Sequence, residues 1–599
     1  MQEKITSYYN QKISILESEI QQIKKNLTFV YAMRVLAFFI FGGFIILFFS
    51  YNYNLIFAGI SILGLVMFIF AIKYDLQFDF KHKFLTNKLV LNQNELKSLN
   101  HQYSECETGE EFANFNPHLS ADFDVFGEGS LFQYLNRCCT KNGKLKFSQG
   151  LSKSEFDKKI IIEKQQAIKE LSEKNEFVQN FRANGMFVNE TGSEFESLKQ
   201  WLNEPSEKLT LFKILCFIIP ATSLIWICLM IFGVFSINSF TLPTLISLLI
   251  SFNFVKIINK AHSKLSNSAK TFEKYTVLIK LIENEEFNTK YLLDLKQKLQ
   301  NNEHKASESL TTLFKLMNTF DLRLNIIVSF VLNSLILFDI QIYWKLEKWK
   351  SKNKIIVSSW FSALYDLDSL TSFSTYAFNN EAFVTYPIIA ETEFSLQAKN
   401  LGHPLLNHQS RICNDIDFSD KPFVMIITGA NMAGKSTFLR TISINLILAM
   451  NGAPVCAENF SFTPCDIMSS INIKDSLSNN ESYFYAELVR IKEIIEHTNK
   501  QPKSIVILDE ILRGTNTKDK QQGSLGLLEN LIKQRAVVLI ATHDLVIGEL
   551  ENKYPKIVIN RCFEVELTND RLIFDYKLKK GISQKLNASF LMKKMGIIE

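Results

Sequence analysis

Residues 35–72 contain no Asp, Glu, Lys, Arg or His, and neither do residues 214–255. A helix on the surface of a soluble domain keeps one polar face, whereas these runs are apolar on every side. A bilayer crossing takes ~20 apolar residues, so each run holds two helices. Tyr51-Asn52-Tyr53-Asn54 supplies a turn in the first, and Asn238 and Ser239 supply one in the second. The pattern predicts two transmembrane helical hairpins; two buried hairpins in a large soluble core are the alternative. Pro220 and Pro243 fall in the second run, where neighbouring helices satisfy the carbonyls they free.

Lys24, Lys25 and Arg34 precede the first hairpin, and Lys73, Lys81 and Lys83 follow it. Lys213 precedes the second, and Lys256 and Lys260 follow it. Neither turn carries a positive charge. The positive-inside rule then predicts a multi-pass membrane protein of about four spans, with all other segments cytoplasmic. Some thirty polar residues come before the first apolar run, so no secretory signal is expected.

Other periodicities organise the rest. Ile13, Leu16, Ile20, Ile23 and Leu27 form a short heptad seam that either pairs two protomers or packs locally. Residues 160–200 and 257–320 read as long polar helices flanking the second hairpin, and the charge run at 158–164 as a solvated helix face. After about residue 395 the texture changes to PFVMIITG, SIVILDE and AVVLIATHD alternating with helical stretches, the pattern of a parallel α/β sheet. The expected order is an N-terminal helix (1–34), hairpin one (35–72), linker and helical core (73–205), hairpin two (206–256), lever and core (257–395) and an α/β domain (396–599).

Length and composition change this picture little. A chain of 599 residues exceeds one core, so three or more units are expected. Apolar residues make up 47%, with 51 Phe, and the apolar runs account for the excess. A net charge of +5 argues neither for nor against nucleic acid. Nine scattered cysteines without a C-x-x-C pair suit a reducing compartment and suggest no metal site.

The chemistry lies in the last third. Gly429-Ala430-Asn431-Met432-Ala433-Gly434-Lys435-Ser436 fits G-x-x-x-x-G-K-[ST], and Thr437 follows. It comes after a strand-like run and opens a helix, so backbone amides and the helix N-terminus can cradle phosphates. Lys435 is expected at the β- and γ-phosphates of ATP and Ser436 on Mg²⁺. Ile505 to Leu508 end in Asp509-Glu510: Asp509 is the second expected Mg²⁺ ligand, and Glu510 the residue that polarises the attacking water. Two solvated acids at a strand end are the alternative, disfavoured by the phosphate loop upstream. His543, closing a third strand, is a candidate γ-phosphate sensor, although a lone His is usually structural. Residues 325–344 are apolar apart from Asp339; a fifth crossing would put the ATP site outside, so a buried core helix is expected there.

TGANMAGKSTFLRT (428–441), DSLSNNESYFYAEL (475–488), LDEILRGTNTKDKQQG (508–523) and IATHDLVIGEL (540–550) together resemble the ATPase domain of the MutS mismatch-repair family, with HPLL (403–406) and Asn414-Asp415 as its lead-in. DFDVFGEGSLFQYLNRCCTKNGKLKFSQGL (122–151) and QQAIKEL (165–171) are similar to the start of that family's helical core. The resemblance implies an ABC-type P-loop ATPase that works as a homodimer around ATP and Mg²⁺. It implies that Ser482 is a trans-acting signature residue, and that Arg513, Gly514, Thr515, Asn516, Thr517 and Asp519 form the interface loop. It places Asn431, Arg411 and Ile412 near the nucleotide, although the family often has an aromatic where this chain has Arg411.

The departures bear on function. A membrane hairpin stands where mismatch-repair members carry a mismatch reader with a Phe-x-Glu wedge; Phe126-Gly127-Glu128 has that spacing, but inside the core-like segment. The second hairpin falls where the DNA clamp is expected, and no C-terminal nuclease-like module is expected. Two readings stand: a membrane-anchored ATPase that binds mismatched or branched DNA in repair or recombination, or a mechanochemical ATPase acting on the bilayer or a membrane protein partner without DNA.

Overall fold

The computed structural model describes residues 2–51, 53–188, 194–205, 209–265, 269–301, 304–391, 394–418, 424–472, 483–568 and 571–583. They divide into two compact units. Met1–Arg137, Leu145–Val178 and Leu370–Glu599 form unit 1; Cys138–Lys144 and Gln179–Ser369 form unit 2.

Unit 1 begins with helices α1 (Gln2–Ser50) and α2 (Leu55–Leu99), packed as one hairpin. Asn54 caps α2 by accepting from the Ile56 amide. The heptad seam is used within the chain: Leu16, Ile20 and Ile23 pack on Leu85, with Phe78 and Leu89 alongside. Within the charge-free stretch the contact is made by small residues. Ser61 donates to the Phe41 carbonyl, and a Cβ on Gly64 would meet the Phe41 nitrogen at 2.7 Å. Phe39, Ile46 and Phe49 point outward.

The base of α2 is fixed by a buried polar cluster. Arg137 donates from Nε and Nη2 to the two Glu95 oxygens at 2.7 and 3.1 Å, and to Ser98. Asn379 donates to Glu95 and accepts from Tyr9. Residues 112–132 add an aromatic cluster in which Phe126 packs on Phe112 and Phe132, so Phe126 is a core residue and no wedge, while Glu128 is exposed.

The rest of unit 1 is α/β. Strands Ile388–Ile389 (β1), Leu396–Leu401 (β2), Asn414–Asp417 (β3) and Asn459–Phe462 (β5) form a small sheet ordered β1-β5-β2-β3. Strands Val424–Gly429 (β4), Asp466–Ser470 (β6), Ser504–Asp509 (β7), Val537–Thr542 (β8), Val558–Thr568 (β9) and Arg571–Lys580 (β10) form the main sheet, ordered β10-β9-β4-β8-β7-β6. Neighbours run parallel except β10, which returns antiparallel to β9. β4, β7 and β8 are buried at every position, which is why their sequences are unbroken apolar runs. Ile491 and Ile494 from one flanking helix and Leu528 and Leu531 from another pack on Val506, Leu508 and Val538.

Unit 2 is helical. Its apolar helices Leu209–Ile231 and Thr241–Leu265 bury Ser223, Ser247 and Ser251, while Leu224, Leu249 and Phe252 face outward. Among the described residues of both units, four helices are long and apolar enough to cross a membrane.

Two expectations need correction. Residues 160–200 and 257–320 are broken into shorter helices such as Lys158–Glu173, Ala269–Asn284 and Lys290–Leu299. The first of them begins where Asp157 caps the Lys159 and Ile160 amides. Residues 325–344 are likewise no single buried helix. Ile326–Ile336 ends at Leu337, in the left-handed region at φ 51°, and Phe338–Asn353 follows. The second part is largely buried, whereas the first buries only Asn333 and Ser334.

Removing one partner of a buried ion pair costs about 3–5 kcal/mol because it strands the other charge. Glu95→Gln and Arg137→Met should each lower the thermal midpoint of the purified protein by several degrees. The double variant should lose less than the two losses combined, as read by differential scanning fluorimetry.

Candidate nucleotide-binding site

The site forms where β4, β7 and β8 end. β4 runs into the loop 429–434, whose glycines do what other residues cannot. Gly429 has φ 152°, and a Cβ there would meet the Phe563 carbonyl at 2.7 Å; Gly434 has φ 105°. Met432, also left-handed at φ 68°, stands 80% exposed at the loop tip. The helix Lys435–Met450 starts directly behind, so its free amides face the loop. Lys435 is buried, and its Nζ donates to the Gly429 and Ala430 carbonyls at 2.7 and 3.0 Å. Burial pulls its pKa down, against the opposing pull of Glu510 and Asp509.

Asp509 and Glu510 close β7. Burial raises the Asp509 pKa, against a hydrogen bond from Ser436 that lowers it. Asp509 is 5% exposed, and its Oδ1 has no hydrogen-bond partner. An orphaned, buried carboxylate oxygen beside a hydroxyl is the donor set that Mg²⁺ takes, so these two residues fit the ion. Glu510 Oε1 lies 3.9 Å from Lys435 Nζ and 3.7 Å from His543 Nδ1, and Oε2 lies 3.3 Å from Arg513 Nη2.

The corner after β7 is strained. Glu510 and Leu512 have φ of 48° and 59°, a region non-glycine residues occupy at a cost of order 1–3 kcal/mol each. A residue the motif reading did not single out holds it. Glu487, 2% exposed, accepts the Leu512 amide at 2.6 Å, and the Arg513 amide also bonds it. Burial raises its pKa while those amides lower it. Beyond the corner Asn516 caps the helix Thr517–Lys533 through the Asp519 amide at 2.9 Å. Arg513, Gly514, Asn516, Thr517 and Asp519 are exposed and Thr515 is half-buried.

A cavity of about 600 Å³ joins these parts. Ala430, Asn431, Met432, Gly434, Lys435, Ser436, Thr437, Glu510, Arg513 and Ile412 line it. Gly429 shapes the loop from behind and Ala433 is buried beneath it. Arg411 lies outside the lining: it sits over the Phe383 ring at 5.8 Å and against Gly402. His543 is half-exposed and reaches the site through Glu510. Ser482 lies outside the described residues.

Phe563 and Tyr576 also line the cavity and were not foreseen. They come from β9 and β10, which carry no motif; in the recognised lead-in, the Asn414 side chain donates to the Tyr576 carbonyl (3.0 Å) and accepts the Leu578 amide (2.8 Å), which brings β10 close. His403, from HPLL, lines the cavity too, and burial lowers its pKa from 6.5 to about 4, with Arg440 and Arg411 adding to the effect.

A parallel sheet ending in a glycine-rich phosphate loop, with a buried acid beside its hydroxyl, defines a P-loop nucleotide-binding domain. Comparison with known proteins gives its kind. The family model MutS domain V matches residues 425–594. The DNA mismatch repair protein MutS of Chlorobium chlorochromatii is 36% identical over 226 residues, covering 36% of this chain and 25% of that protein. The same-named protein of Thermotoga maritima is 32% identical over 225 residues, covering 37% and 28%. Mouse MutS protein homolog 4 is 34% identical over 203 residues, covering 32% and 21%. The protein is MutS-related through this C-terminal region, and it spans about a quarter of the length of the curated relatives it matches.

Two predictions follow from the geometry. Glu487→Ala releases the strained corner without touching the phosphate loop. ATP turnover should fall about tenfold, the equivalent of one buried hydrogen bond of ~1.4 kcal/mol, while nucleotide affinity in a fluorescence titration stays within about twofold.

His403 has a folded pKa below its unfolded one, so its neutral form stabilises the fold fully above pH 6.5. That contribution is lost as pH falls toward about 4, where only the unfolded chain gains the proton. His403→Asn should therefore flatten the decline in thermal midpoint between pH 7 and 5 relative to the parent.

Proposed function

We propose that the protein is a membrane-anchored ATPase that binds ATP with Mg²⁺ and hydrolyses it as a homodimer. The observation that carries the reading is the convergence of Lys435, Ser436, Asp509 and Glu510 at the ends of two parallel strands, β4 and β7. The loop amides and Lys435 hold the phosphates, and Ser436 and Asp509 would hold Mg²⁺, which would supply charge neutralisation on the phosphates. Glu510 orients the attacking water and accepts its proton, with His543 and Arg513 positioning the carboxylate. Ser482 and the loop from Arg513 to Asp519 complete the partner's site.

The outward-facing apolar residues of both hairpins support anchoring. Helices in lipid associate through small residues and turn large apolar side chains outward, the arrangement seen at Ser61, Gly64, Ser223, Ser247 and Ser251. DNA, mismatched or branched, is the ligand suggested by relatives named for DNA mismatch repair. The same hairpins favour a second reading, in which ATP-driven closure works on the bilayer or a membrane partner without DNA.

ATP hydrolysis by the nanodisc-held protein decides between them, measured with no DNA, perfect duplex, mismatched duplex and branched DNA at two salt concentrations. Stimulation by one structured DNA that fades with salt supports the first reading. Turnover indifferent to all DNA supports the second. Glu510→Gln should lower turnover at least ~100-fold and retain ATP binding; unchanged turnover removes the catalytic role of Glu510.

A further inference from the structure

We infer that residues 322–337 form a third membrane element in unit 2, a re-entrant segment that dips into the bilayer and returns to the side it left. This rests on the membrane reading of the second hairpin. The helix Ile326–Ile336 is built inside out. Ile326, Ile327 and Phe330 are 83%, 77% and 60% exposed, whereas Asn333 and Ser334 are 4% and 7% exposed. Water would favour the opposite face outward. Lipid requires this one, provided the inward polar groups are satisfied within the protein.

They are satisfied. Asn333 donates to the Ser329 carbonyl and hydroxyl and accepts the Asp339 amide, and Ser334 donates to the Val331 carbonyl. The helix packs against both Leu209–Ile231 and Thr241–Leu265, and its exposed apolar face adds to the one they present.

Length and the two ends decide the path. Eleven residues rise about 16 Å, half of the ~30 Å hydrocarbon core, so the helix cannot cross. The preceding helix is bent away by 109° and carries Lys315 and Asp321, so it does not prolong the insertion. Arg323, ahead of the helix, donates to Asp339, just past the turn, over 3.2 Å, with side chains 10% and 4% exposed. The left-handed Leu337 reverses the chain between them. The following helix Phe338–Asn353 packs back on Ile326–Ile336, so the chain returns toward the side it left. The lone acid of the apolar stretch is thus the clasp of the re-entrant turn.

The test uses the full chain in nanodiscs, with a fluorescent amino acid placed singly at Ile327, Phe330, Leu224 or Lys298, and lipids brominated on their acyl chains as quencher. Quenching at 224, 327 and 330 but not at 298 is expected. Quenching at 224 alone overturns this inference and leaves the hairpin in the membrane; no quenching at 224 removes the membrane reading itself. Emission at 327 and 330 that is shielded from aqueous iodide yet insensitive to brominated lipid means a protein surface, such as a second copy, covers the face, and overturns the inference. In oriented sealed vesicles, iodide should reach probes at Lys315 and Lys352 from the same side; access from opposite sides means a full crossing and overturns the re-entrant path.

Discussion

A guanidinium cannot stay buried without partners, and the chain around Arg137 is arranged to meet that demand. Its charge is matched by Glu95 on α2, and Glu95 is in turn shared with Asn379, which accepts from Tyr9 on α1. Four stretches far apart in sequence must therefore meet at one point. Such clusters contribute little net stability compared with an apolar replacement, but they penalise every arrangement that leaves one member unpaired. Here the penalised arrangements are those in which the base of the apolar hairpin parts from residues 131–137 and the helix ending at Asn379. The polar cluster acts with the Arg34–Asp75 pair and the bonds of Lys12 and Lys88 to Glu176 in fixing the register of the hairpin.

The nucleotide site solves a different problem. Glu510 has to leave a fully buried strand and face the phosphate loop within one residue, and a left-handed turn is the shortest way to do so. Without glycine that turn is unfavourable, and Glu487 offsets it by taking the amides that the turn exposes. The strain and its support come from different segments, one just past β7 and one on the helix Tyr483–Lys500. Glu510 stays adjustable because its carboxylate is held only by long contacts to Lys435, His543 and Arg513.

What could be read from the sequence depended on how local its cause is. The phosphate loop, the acidic end of β7 and the charge-free runs are each set by neighbouring residues, so their elements were legible, with β4 and β7 placed within a residue or two. The heptad seam was legible as a seam but not as to its partner, because periodicity specifies an apolar stripe and not what covers it; Leu85 covers it. Arg411 was misplaced because proximity along the chain to the lead-in says nothing about which side of Gly402 a side chain takes. Tyr576 and Phe563 reach the cavity only through the pairing of β9 with β4, a long-range register that leaves no short motif. Residues 325–344 misled for the opposite reason: a continuous apolar run looked like one helix, and the break at Leu337 is imposed by the Arg323–Asp339 pair across sixteen positions.

Unit 1 contains both the nucleotide site and the first apolar hairpin, and this bears on how a change at the site would reach the hairpin. Arg440, on the helix that begins at the phosphate loop, pairs with Asp124; the Asn472 amide after β6 is held by Asp122; and the segment that carries both acids continues to Arg137 and so to α2. That path is contiguous, but contiguity alone transmits nothing. Coupling needs an element with two arrangements whose balance the ligand alters. The strained corner from Glu510 to Arg513 is where such an element would sit, since it is held by one buried carboxylate and lines the cavity directly. The hairpin itself is no such element, because its polar cluster leaves it one register. A moving part at the nucleotide would make α2 a passive extension of the core it is bolted to, so that under the proposed membrane reading any force on the bilayer would come from displacement of the whole base of α2 and not from a change within the hairpin.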